Sequence, residues 1–204
     1  SGQEEVVVGV PYANREHVAL QSVMGYFINT LALRVVVGSG KSFREVLCGV
    51  QNMMDEALAH ALVPFVRVVE AVGVQRDASR TPVFQTMLVW EDADGWDTAT
   101  APMAMLEVLT AQDDNVMSKG SAKFEVTLNA AESNNEGLCT LLGMLEYSSD
   151  LYEHRSMERV ATRLEAMVGC LAEGRNVAVG SLSMLREEEA RMMLEEWNET
   201  AQPY

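Results

Sequence analysis

"LALRVVVGSGKSFREVLCGVQNMMDEALAHA" spans Leu31 to Ala61, and its hydrophobic period changes in the middle. Leu31–Val37 is an apolar, β-branched run with Arg34 inside it, which reads as a strand closed by "GSGK" at 38–41. From Ser42 onward the spacing is helical. Phe43, Val46, Leu47, Val50, Met54, Ala57, Leu58 and Ala61 recur on one face. Ser42 and Glu45 form a capping box, in which each side chain satisfies an orphan amide at the start of the helix. The stretch therefore joins a strand to an amphipathic helix, and the chain mixes both elements.

Working outward, Val6–Val10 is a second β-branched strand. It ends at "GVPYANR" (9–15), where Gly9 and Pro11 punctuate it and deliver Arg15 on the following turn. Pro64 restarts the helix as "PFVRVVEAV" (64–72), since proline is tolerated in a first turn and not in a helix interior. "RDASRTPVFQTMLVW" (76–90) places Pro82 at the entrance of a strand over Val83–Trp90. Asp92–Pro102 is acidic, small and turn-rich, a surface loop. Met103–Gln112 fits a helix or a strand equally well.

Phe124, Val126, Leu128 and Ala130 alternate with Glu125, Thr127 and Asn129, the period-two pattern of a half-buried strand. "SNNEG" (133–137) turns it back onto Leu138–Tyr147 as an antiparallel partner. Met157, Val160, Ala161, Leu164, Met167, Val168 and Leu171 mark a second long helix from about Glu153 to Glu173, ending at Gly174. A short acidic helix, "REEEARMMLEEW" (186–197), follows. The fold class is α/β or α+β, a mixed sheet flanked by helices.

Composition narrows the function. At 204 residues, 48% hydrophobic and 22% charged, the chain is long enough to bury a sizeable core. Its apolar runs fall far short of the roughly 18 residues that a membrane span needs. Ser1–Glu5 lacks the order of a secretion signal, so a cytoplasmic location without membrane insertion is expected. Thirty acidic against fifteen basic residues repel phosphate backbones, which argues against a nucleic-acid partner. Cys48, Cys139 and Cys170 are odd in number and widely spaced, as expected of buried reduced thiols.

No complete catalytic or metal motif stands in the chain. "GxSxG", "GxxxxGK[ST]" and "HExxH" are absent, and His17, His60 and His154 are scattered. Each histidine reads as a surface or capping residue near a turn or helix terminus. One question remains within "MGYFINTLALR" (24–34): an apolar stretch carries Asn29 and Thr30 side by side, although an unpaired buried amide costs about 1–3 kcal/mol.

"MGYFINTLALR" (24–34), "HALVPFVRVVEAV" (60–72) and "RDASRTPVFQTML" (76–88) resemble, in order and spacing, three consecutive core motifs of the condensation domains of nonribosomal peptide synthetases. Upstream, "GVPYANR" resembles the family's turn ending in Gly-Arg or Asn-Arg. Downstream, "AKFEVTL" (122–128), "LEYSSDLYE" (145–153) and "LEEWNET" (194–200) resemble its later strand, strand-to-helix junction and linker toward an adenylation domain. The likeness runs from about Val6 to Thr200. It implies a chloramphenicol-acetyltransferase-like fold of two α/β lobes facing across a tunnel, with residues 1–185 as the carboxy-terminal lobe and 186–204 as a short helix and linker.

In that family the catalytic "HHxxxDG" belongs to the first lobe, and no adjacent histidine pair occurs here. The resemblance thus implies no catalytic or metal-binding residue of this chain's own. It implies lobe-interface and motif roles for Arg15, Asn29, Thr30, Arg34, His60, Pro64, Phe65, Arg76, Asp77, Ser79, Arg80 and Pro82. Arg15 would pair with the aspartate of the missing motif. Asn29 and Thr30 would satisfy backbone groups where a helix-like turn hands over to a strand. Arg34 would snorkel or pair. The chain departs from the family at His60-Ala61, where "HQ" is frequent, at Pro64-Phe65-Val66 in place of "PFE", and at Thr81 in place of asparagine.

The implied reaction is amide-bond formation between aminoacyl or peptidyl groups on carrier proteins. No cofactor is bound directly; phosphopantetheine is presented by the carriers. The implied partners are the amino-terminal lobe of the same polypeptide, the carrier proteins and the adjoining adenylation domain. An epimerisation, cyclisation or terminal condensation relative is one alternative, and a non-catalytic module that recruits a carrier protein or tailoring enzyme is another. Ser1–Gly2 opening onto a strand leads to the expectation that the native polypeptide extends in both directions. A lobe without its companion is expected to be inactive alone and to self-associate through bare apolar surface.

Overall fold

The computed structural model describes residues 3–74, 77, 80–92, 104–108, 122–135, 138–172, 176–182, 184 and 187–199. The elements in chain order are β1 (Glu5–Tyr12), α1 (Val18–Gln21), β2 (Asn29–Val36), α2 (Phe43–Ala59), α3 (Phe65–Val72), β3 (Thr86–Asp92), β4 (Ala104–Val108), β5 (Val126–Asn135), β6 (Leu138–Tyr147), α4 (His154–Ala172) and α5 (Glu187–Leu194). Single 3-10 turns lie at Val179–Ser181 and Glu196–Asn198. α2 begins at the expected capping box: the Glu45 amide donates to Ser42 Oγ at 3.4 Å, and the Ser42 amide donates to Glu45 Oε2 at 2.8 Å. α3 stops at Gly73, whose φ of 65° is a left-handed conformation that only glycine adopts without cost.

The strands form one six-stranded mixed sheet in the order β2-β1-β3-β5-β6-β4. β1/β2 and β5/β6 are antiparallel; β1/β3, β3/β5 and β4/β6 are parallel. Register sets Val8 opposite Leu33 and Thr86, Thr86 opposite Val126, and Val126 opposite Tyr147, so these side chains share one face. Both long helices pack on that face. α2 covers Leu31 and Leu33 with Val10, Tyr12 and Val35, and buries Ala61 just beyond its end. α4 sets Met157 and Ala161 on Leu145, Val126, Leu128 and Tyr147. Leu33 and Leu145 are 5% and 3% exposed, and burying such side chains stabilises the fold by about 1.5–3 kcal/mol each.

Gly9 points toward the opposite face, where the Phe84 ring takes the space of a side chain. A Cβ at Gly9 would stand 2.2 Å from Phe84 Cε2. Phe84, only 2% exposed, stacks on Phe124 at 5.6 Å between ring centroids and meets Phe65 in a tilted contact at 5.4 Å.

Beyond α4, residues 176–180 lie across the start of α2 as a strap. The Phe43 amide donates to Val177 O at 3.1 Å and the Arg44 amide to Asn176 Oδ1 at 3.3 Å, while Val179 N reaches Lys41 O at 2.8 Å and Gly180 N reaches Ser39 O at 3.0 Å. The strap thus satisfies two of the first amides of α2, which have no partner inside the helix.

Several expectations are corrected. β1 continues through Gly9 and Pro11 to Tyr12, because Pro11 lies beyond the short β1/β3 pairing at Val8 and Gly9, where its missing N–H is not needed. β3 starts at Thr86: Pro82–Phe84 is a three-residue turn, with Phe84 N donating to Pro82 O at 2.9 Å and Val83 at φ 74°. Ala104–Val108 is a strand, which decides the open reading for those residues, and the rest of 103–112 lies outside the described residues. Ser133–Asn135 remain in β5, where they pair with Leu138–Thr140 of β6. Cys48 is exposed and Cys170 half-buried, so these two are free thiols but not buried ones. The expected loop over 92–102 lies, beyond Asp92, outside the described residues, as do Gly174 and the Cys139 side chain.

Candidate functional site

The turn after β1 is organised by one side chain. Arg15 Nη1 donates to Leu20 O and, at 2.7 Å, to Val23 O; Nη2 donates to Gly25 O at 3.1 Å. Its guanidinium carbon lies 4.5 Å from the centroid of the Phe27 ring. A guanidinium has five N–H donors. Three serve the loop, leaving Nε–H and one Nη2–H without a partner among the described residues. The fork is thereby fixed in place, with capacity left for one carboxylate. His17 accepts from the Ala19 amide at 3.2 Å and caps α1. The loop holds Met24 and Tyr26 outward, at 98% and 89% exposure. The stretch before Asn29 is irregular, so the helix-like turn expected there is not present.

Asn29 answers the question that the sequence raised. Its Nδ2 donates to Ala61 O at 2.7 Å and Val63 O at 2.8 Å, and its Oδ1 accepts from the Phe65 amide at 3.2 Å. Pro64 is the N-cap of α3 and offers no side-chain cap of its own, so Asn29 supplies one from the start of β2. Both N–H donors of this amide and one acceptance by its oxygen serve the α2–α3 junction. Thr30 does not share the role. It pairs with Pro11, points to the other face of β2, and its hydroxyl makes no hydrogen bond among the described residues.

The other motif residues divide. Phe65 links the Asn29 clamp to the Phe84–Phe124 stack. His60 is the exposed C-cap of α2. Arg34 lies five residues along β2 from Asn29 and forms a two-pronged ion pair with Glu5, at 2.7 and 3.0 Å. The Arg34 guanidinium holds the Glu5 carboxyl below its ordinary range. It lies away from the clamp, on the exposed margin of the sheet. Arg76 and Ser79 lie outside the described residues; Asp77 and Arg80 are exposed. Pro82 opens the three-residue turn, which Thr81 closes by donating its hydroxyl to Phe84 O.

The structure therefore brings Asn29, Pro64, Phe65 and the turn at Pro82 into one connected unit, with Arg15 organising a separate loop beside it and Arg34 outside both. Phe84 and Gly9 complete that unit; Gly9 was read from sequence as the end of a strand, although a glycine inside a β-branched run also signals close approach. No group of three potential metal ligands exists among the described residues. His154 Nδ1 meets Tyr147 Oη at 3.1 Å and Nε2 meets Glu158 at 3.3 Å, at the start of α4.

A family model described as the condensation domain matches residues 1–194. Tyrocidine synthase 3 of Brevibacillus parabrevis is 35% identical over 204 residues, which are 100% of this chain and 3% of that protein. Malpinin synthetase of Mortierella alpina is 34% identical over 202 residues, or 99% of this chain and 2% of that protein. The chain spans a few per cent of the length of these relatives. Among solved structures, a four-domain nonribosomal peptide synthetase bound to AMP and glycine superposes with a TM-score of 0.74 at 24% identity, covering 92% of this chain and 14% of that one. The first condensation domain of the CDA synthetase superposes at 0.62 with 16% identity, covering 91% and 38%.

Proposed function

This chain belongs to the condensation-domain family, and on that premise we propose that it is the carboxy-terminal lobe of such a domain. It forms one wall of the tunnel in which an amide bond joins aminoacyl or peptidyl groups carried as phosphopantetheine thioesters. The observation that carries this reading is one of extent: the chain aligns over 91% of its own length with only 38% of a solved condensation-domain chain. A second lobe would account for much of the remainder.

The chemistry assigns the two lobes different work. Attack on a thioester needs a neutral amine held close to the carbonyl, and a positioned histidine assists by proton transfer or hydrogen bonding. That histidine comes from the "HHxxxDG" of the facing lobe. Arg15 contributes a fixed cation: its two unengaged N–H groups take the aspartate of that motif, joining the lobes and orienting the histidine loop. Carrier proteins present the substrates, and 186–204 leads toward an adenylation domain. Epimerisation, cyclisation and terminal condensation relatives would share this lobe and differ in the facing one. Recruitment of a carrier protein or tailoring enzyme without catalysis is the second reading.

The test mixes two loaded carrier proteins with this chain, alone and together with an amino-terminal lobe that contains "HHxxxDG", and reads the product by mass spectrometry. No product is expected from the chain alone. Product is expected from the pair, and Arg15→Ala should abolish it while leaving the chain folded. Turnover by the isolated chain overturns the proposal; carrier binding without turnover by the pair favours recruitment.

A further inference from the structure

Arg15 is held by more than its hydrogen bonds. It follows Asn14, whose φ of 53° is a left-handed conformation that asparagine tolerates better than most residues, and it lies half-buried against the loop over 20–27. The carbonyls of Leu20, Val23 and Gly25 hold the edges of its guanidinium. The Phe27 ring supports its face: the guanidinium carbon stands over the ring, 4.5 Å from the centroid.

Gly25 serves both contacts. Its carbonyl accepts from Nη2 at 3.1 Å, and its missing side chain leaves the space into which Phe27 fits. A Cβ at Gly25 would stand 2.9 Å from Phe27 Cε2 and 3.3 Å from Cζ, so a methyl group there pushes the ring off its seat. The two N–H groups left over, on Nε and Nη2, belong to nitrogens on one edge of the fork, the geometry that meets a carboxylate with two parallel bonds. The carboxylate next in sequence does not take them. Glu16 accepts from Tyr12 Oη instead, and Arg15 makes no ion pair among the described residues.

We propose that Phe27 and Gly25 are positioning residues: they orient the Arg15 guanidinium before a partner arrives, and so set how strongly it takes a carboxylate. A fork already held in its bound orientation loses less freedom on binding than a free side chain. That the carboxylate is the aspartate of the facing lobe rests on the function proposed above; the support of Arg15 by the ring does not.

Two measurements separate these statements. The first follows the Arg15 Nε–H resonance of the 15N-labelled full chain, which the ring current of Phe27 should displace, while sodium acetate is added as a carboxylate probe. Phe27→Leu should return the resonance toward that of a free arginine and weaken acetate binding about fivefold, the loss of one cation–π contact. Gly25→Ala should act in the same direction by displacing the ring, and Phe27→Tyr, which keeps a ring face, should stay within about twofold of the parent. The second measures association with an amino-terminal lobe that contains "HHxxxDG" by calorimetry. Phe27→Leu should weaken it about fivefold, and the effect should vanish when the aspartate of that motif is replaced by asparagine. An Arg15 resonance and acetate affinity unmoved by Phe27→Leu, or a Phe27→Tyr chain as impaired as Phe27→Leu, overturns the proposal. The expected acetate results, with an effect on lobe association that persists undiminished against the asparagine motif, support the positioning role and reject the facing aspartate as its partner.

Discussion

Replacing Asn29 by alanine removes three hydrogen bonds at once, to Ala61 O, Val63 O and the Phe65 amide. A net contribution of roughly 0.5–1.5 kcal/mol for each bond gives a range of about 1.5–4.5 kcal/mol. Val63 is exposed and its carbonyl regains water when the amide is lost, so the lower half applies, about 2 kcal/mol. Against a total stability of roughly 5–15 kcal/mol this is a large loss. With a urea dependence of about 2 kcal/mol per molar, the unfolding midpoint should fall by about 1 M. Asn29→Asp discriminates further. The carboxylate still accepts from Phe65 but sets an oxygen against two carbonyl oxygens, so at neutral pH it should be less stable than alanine. A shift under about 0.5 kcal/mol for alanine, the size of an ordinary surface change, or an aspartate variant as stable as the parent would refute the clamp.

Gly9→Ala should destabilise by about 1–3 kcal/mol through overpacking against Phe84, and Phe84→Leu should make the alanine tolerable; thermal melts of the two single variants and the double variant read the coupling, and simple additivity would contradict the contact. Glu45 is held below its ordinary 4.5, first by the Ser42 hydroxyl and then by the Ser42 amide. The folded state therefore binds this proton less readily than the unfolded chain, and the stabilisation is present above about pH 4.5 and is lost as pH falls through the lowered value. Glu45→Gln should flatten that part of an acid-unfolding profile, and an unchanged profile would count against the capping box.

The helices were legible because their signals are local. Ser42, Glu45 and the recurring apolar positions of α2 state its start and buried face without reference to any other segment. The alternation over 124–130 likewise predicted β5 and its antiparallel partner, although β5 begins only at Val126 and runs on to Asn135. The site was less legible because its contacts are long-range. Asn29 caps a helix 36 residues away, and no spacing rule announces that. The resemblance flagged Asn29 and Thr30 together, whereas the alternation of a strand sends neighbours to opposite faces and gives only Asn29 access to the helix junction. The start of β3 was misplaced for a related reason. Val83 is β-branched and favours strands, yet the turn held by Thr81 and the burial of Phe84 impose a positive φ on it.

The strap over 176–180 has a mechanical meaning. Its amides and carbonyls grip Ser39, Lys41 and Phe43, so tension arriving from the carboxy-terminal side is delivered to the head of α2 as shear across several bonds loaded together. Whatever moves that end of the chain leans directly on the helix whose far end Asn29 fastens to the sheet.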